Sequence, residues 1–81
     1  MLVRLFTDAN GGNNAVSVNC TGTEKAVGGG GATVGSGDME ETLPLTGGVP
    51  STAGQTPNGW RVEYNGNAAS DDVTVYALCV P

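Results

Sequence analysis

The chain has 81 residues, the length of one small domain, with 3 Lys plus Arg, 8 Asp plus Glu, no His and a formal net charge of −5. Three cations cannot neutralise a run of phosphates, so nucleic-acid binding is not expected. Without His, neither a His-based triad nor a His-ligated zinc site can form.

Helical periodicity is nearly absent, and apolar residues alternate with a period of two instead. Residues 2–7, LVRLFT, predict a first strand. Residues 8–14, DANGGNN, are turn chemistry, because Asn-Gly and Gly-Asn supply positive φ at little cost. Residues 15–20, AVSVNC, alternate again, with Val16, Val18 and Cys20 on one face. Residues 24–34, EKAVGGGGATV, predict a strand interrupted by glycine, which marks a bulge or a close backbone approach. Residues 35–59 are the least regular stretch. At about 25 residues they are longer than a compact domain leaves unstructured, so they are expected to hold one or two short strands near Glu41–Leu45, or to form a functional surface loop. Residues 60–65, WRVEYN, place Trp60, Val62 and Tyr64 on one face. Residues 66–72 are turn-like. Residues 73–80, VTVYALCV, are the strongest strand, with Val73, Val75, Ala77 and Cys79 on one face. The last two strands and their connection read as a β-hairpin. Trp60, Val62, Val73 and Val75 are the predicted core.

Cys20 and Cys79 both fall on the apolar face of their strands, which lets them meet across a core. A disulfide between them would close a loop of about 60 residues and contribute roughly 4 kcal/mol in the chain-entropy account. The alternative is a pair of buried free thiols. No apolar run reaches the roughly 18–20 residues that span a bilayer, so membrane insertion is not expected. The opening MLVRLF turns polar too quickly to act as a signal peptide.

Candidate sites are sparse. Asp38, Glu40 and Glu41 form an acidic cluster in the 35–59 segment, a candidate binding loop with the oxygen ligands that Ca²⁺ takes. Its spacing fits no defined calcium loop, and a solvated loop is the ordinary reading, so no metal or cofactor is expected. Asp8, Asn10, Asn13 and Asn14 begin like a calcium loop but lack its glycine and terminal Glu, so a plain turn is the ordinary reading. Asp71 and Asp72 are adjacent and would point apart on a strand, unlike a glycosidase pair. The serines have no His to activate them. Asn19-Cys20-Thr21 is a glycosylation sequon, relevant only in a eukaryotic secretory setting.

The order VNCTGTEKAVGGGGA, then GWRVEYN, then VTVYALCV resembles a small β-sandwich module found at the C-termini of bacterial secreted and collagen-like proteins and of phage tail or surface proteins. Cys20, Gly28 to Gly31, Gly59, Trp60, Tyr76 and Cys79 carry the resemblance over residues 15–81. It implies that Cys20 and Cys79 are paired, and it implies no catalytic residues. The expected fold is all-β: one small antiparallel sandwich over 1–81, jelly-roll-like, of six to eight short strands, with first and last strands adjacent. The expected function is non-enzymatic. The chain would be a structural module on the outside of a virion or an extracellular fibre, working through protein partners. The alternatives are a homotrimerising cap of a secreted fibre protein and a tip that binds a carbohydrate receptor.

Overall fold

Period-two alternation commits these residues to pleated strands, and only a second sheet can bury the apolar faces that result. A computed structural model describes residues 1–8, 15–33, 38–65 and 72–81. Its strands are β1 (Leu2–Asp8), β2 (Ala15–Asn19), β3 (Lys25–Thr33), β4 (Asp38–Thr46), β5 (Val49–Pro50), β6 (Gly59–Asn65) and β7 (Val73–Val80). They form two sheets with strand orders β1-β7-β3 and β2-β6-β4-β5. Every pairing is antiparallel. The fold is an all-β sandwich, and its 15 Å thickness between Cα extremes suits two sheets stacked about 10 Å apart.

The chain crosses between the sheets from β1 to β2, from β2 to β3, from β3 to β4 and from β6 to β7. This is the path of a jelly roll with one strand fewer. Beside β3, where the eighth strand would lie, the chain runs through the irregular residues 51–58. There the Ala26 N–H donates to the Pro57 carbonyl at 2.9 Å.

Strand β7 alternates strictly between buried and half-buried positions, with Val73, Val75, Ala77 and Cys79 inward. Val62, Val73 and Val75 have no exposed surface, and Val16 and Tyr64 complete the cluster. Trp60 is half-buried and packs on the margin of that cluster with Val18 and Met39.

The glycine run in β3 lets the sheets approach. A Cβ on Gly29 would overlap the Trp60 indole and the Tyr76 carbonyl oxygen, and one on Gly31 would lie 2.7 Å from the Thr74 carbonyl and the Val62 side chain. The predicted interruption is a register shift between Ala26 and Gly28.

The structure corrects one expectation and extends another. The strands at 60–65 and 73–80 are not a hairpin: β6 lies between β2 and β4, and β7 between β1 and β3. Both carry a strongly apolar face, and facing each other across the sandwich buries both faces. Within 35–59 the strand expected near Glu41–Leu45 is β4, which is longer than expected at nine residues and turns tightly into β5, while residues 51–58 are irregular. The alternation of β4 is disguised by Pro44 and by a register shift between Met39 and Glu41. Of the turns read at 8–14 and 66–72, Asp8 ends β1 instead, and residues 9–14 and 66–71, with Asn10, Asn13, Asn14 and Asp71, lie outside the described residues.

Candidate assembly surface

On β7 the inward positions leave Thr74, Tyr76, Leu78 and Val80 on the outer face of the three-stranded sheet. Register brings Val3 beside Leu78, Leu5 beside Tyr76 and Thr7 beside Thr74 from β1. The Thr7 and Thr74 hydroxyls share a hydrogen bond of 2.9 Å, as same-face neighbours should. From β3, Gly28 lies beside Leu78 and Gly30 beside Tyr76. Val27, pushed out at the register shift, is 59% exposed. The face therefore reads Val3, Leu5, Tyr76, Leu78, Val80 and Val27 over a floor of glycine, and Lys25 at one end is its charged member among the described residues. A sheet with one apolar face needs one partner sheet; this sheet is apolar on both.

One corner of the sandwich is tied covalently. Cys20 and Cys79 form a disulfide with Cα atoms 5.8 Å apart, joining the end of β2 to β7. Beside it, Arg4 of β1 grips Glu24 with both ends of its fork, Nε to Oε1 at 3.3 Å and Nη2 to Oε2 at 2.8 Å. Glu24 Oε1 also accepts the Thr21 N–H at 2.9 Å. The Arg4 hydrogen bonds, then the Thr21 bond, hold the Glu24 carboxyl below its ordinary value. Cys20, Glu24 and Cys79 place three ligand-type atoms within 4.8 Å of one another. The two sulfurs are bonded to each other, so no thiolate is available to a metal.

The acidic cluster is a strand feature rather than a loop. Asp38, Glu40 and Glu41 lie on β4, with Glu40 at the register shift. Glu41 stands directly across from Glu63 of β6, whose carboxylate is 3.6 Å from the Arg61 guanidinium. The hydrogen bond between the two carboxyls, then their repulsion, hold Glu41 above its ordinary value. This strip is on the other sheet from the apolar face. The indole N–H of Trp60 donates to Thr42 Oγ1 at 3.0 Å, an exposed bond at the margin of the layer between the sheets.

Sequence reasoning placed Cys20 and Cys79 on inward faces, and the structure joins them. It did not single out Val3, Leu5, Leu78 or Val27. A signal was present: 73–80 is apolar at nearly every position, which is the pattern of a strand covered on both faces. Among the described residues no helix is long and apolar enough to cross a membrane. Comparison with protein-family models, with curated proteins and with solved structures finds no match to this chain.

Proposed function

We propose that this chain is a non-enzymatic structural module that works by protein–protein assembly, docking through the outer face of its three-stranded sheet. The observation that carries the reading is that face: Val3, Leu5, Tyr76, Leu78 and Val27 beside backbone glycine, apart from the acidic strip of the opposite sheet. Apolar patches of this kind on small domains mark interaction surfaces. A disulfide persists in oxidising surroundings, which supports a place outside the cell. The finer placement, on a virion surface or an extracellular fibre, rests on the resemblance of the Cys20, glycine-run, Trp60 and Cys79 pattern.

The experiment is molar mass by light scattering at rising concentration, without reductant, for the wild type and for Leu78→Lys. The expected result is a mass that grows with concentration and falls back toward one chain in Leu78→Lys, with both proteins folded. A wild type that stays single to about millimolar concentration, the weak limit of a specific contact, and binds oligosaccharides instead overturns the reading in favour of a glycan-binding tip.

A further inference from the structure

We infer that β1 is a dimerisation edge, pairing antiparallel with β1 of a second copy about a two-fold axis to join two three-stranded sheets into one of six strands. This rests on the assembly reading above and names its partner.

Among the described residues, four strands end a sheet: β1, β3, β2 and β5. The edge of β3 is capped at Ala26 by the Pro57 carbonyl. Strand β5 has two residues, one of them Pro50. Strand β2 turns Ala15, Ser17 and Asn19 outward. Strand β1 has none of these three protections; the one edge device it carries is the inward-parity charge of Arg4, which is neutralised by Glu24 of the same chain. Over Leu2–Asp8 it holds no Pro and no Lys, and its acid, Asp8, is at the far end.

It is also exposed and apolar on both faces. Val3 and Leu5 point outward, each 56% exposed. Leu2 and Phe6 share the inward face of Cys79 and Val75, yet they lie at the open rim of the sandwich and remain 54% and 51% exposed. The strand that covers β1 must therefore be apolar at consecutive positions. Of the edges described, β1 itself meets that demand.

Symmetry supplies the hydrogen bonds. An edge strand rotated about a two-fold axis normal to the sheet meets its own copy antiparallel, with donors opposite acceptors, and the interface is isologous. The rotation carries Val3 and Leu5 of both copies onto one face, which extends the apolar surface across the join. Charge does not oppose it. Arg4, the cation of this stretch, is held by Glu24 within its own copy, and the Glu41–Glu63 strip is on the other sheet.

The test is amide hydrogen exchange resolved by residue, on the intact disulfide-bonded chain at concentrations spanning its self-association, together with molar mass. The expected result is a dimer in which alternate β1 amides, those directed away from β7, are protected at high concentration and exchange freely on dilution. Leu5→Lys, at a half-exposed position the fold tolerates, sets like charges near the axis and should weaken the dimer by about tenfold or more. A trimer overturns the inference, because a two-fold edge pairing cannot build an odd ring; it leaves the assembly reading standing. A dimer with unprotected β1 amides that dissolves in Leu78→Lys overturns it in favour of face-to-face packing. A single chain with freely exchanging β1 amides at every concentration overturns it outright.

Discussion

Two neighbouring glycines of β3 differ in what they exclude. Gly29 faces Trp60, and a methyl group there must displace both the indole and the Tyr76 carbonyl. Gly30 points the other way, with nothing within 4 Å of its Cβ position. Gly29→Ala should therefore cost about 1–3 kcal/mol, the range of overpacked sites, while Gly30→Ala should stay within about 0.5 kcal/mol of the wild type. Urea denaturation of the two variants checks this, and equal midpoints would sink the close-approach account. Two carboxyls predict opposite responses to pH. Glu24 sits below its ordinary value, so its contribution is complete above that value and fades as pH falls through the lowered one. Glu41 sits above its ordinary value. The proton it shares with Glu63 favours the fold below the ordinary value, and that benefit fades as pH rises through the raised one. At neutral pH Glu41→Gln should thus melt higher than the wild type and Glu24→Gln lower. Thermal melts from pH 3 to pH 8, a window about the ordinary carboxylate range, check both signs.

At the scale of elements, the connection from β4 to β5 is a two-residue turn over Gly47 and Gly48, with φ of 61° and 85°. Both central residues in the left-handed region make this the turn whose twist matches a hairpin. Gly48→Ala should cost about 1 kcal/mol through left-handed strain, whereas Gly47→Asn should be nearly neutral. Exchange at Thr46 and Val49, which pair across the turn, reports the local effect. The turn was readable as Gly-Gly between alternating residues, but Pro44 and the register shift near Glu40 broke the alternation of β4 and hid its full length. Strands β6 and β7 do not form the expected hairpin for a different reason. Two strands adjacent in sequence usually pair, yet both of these needed cover for an apolar face, and opposing sheets provided it.

For the molecule as a whole, the disulfide links positions 59 residues apart, and both of its strands contribute to the core. A domain of this size keeps a net stability of only about 3–5 kcal/mol from its core, close to the roughly 4 kcal/mol that closing such a loop contributes. Reduction should therefore remove roughly half of the total stability and lower the urea midpoint accordingly. Far-ultraviolet dichroism through a urea titration, with and without reductant, measures this, and coincident curves would remove the staple from the account. The same thin core explains the apolar surface. Three strands that are apolar on both sides gain stability only when a further layer or edge covers them, so assembly and folding draw on one surface.

The sequence by itself determined the strand class and the inward parity of Val62, Val73, Val75, Cys20 and Cys79, because a pleat alternates every two residues whatever it packs against. It also determined the poverty in cations and the lack of His, which are matters of counting. Only the tertiary structure decided which sheet each strand joins, because pairing depends on residues far apart in the chain. It alone showed that the glycines of β3 make room for Trp60, that the acidic residues at 38–41 stand on a strand, and that β1 is left uncovered. Each of those facts depends on what lies across the sandwich or beyond its edge, and no local period records it.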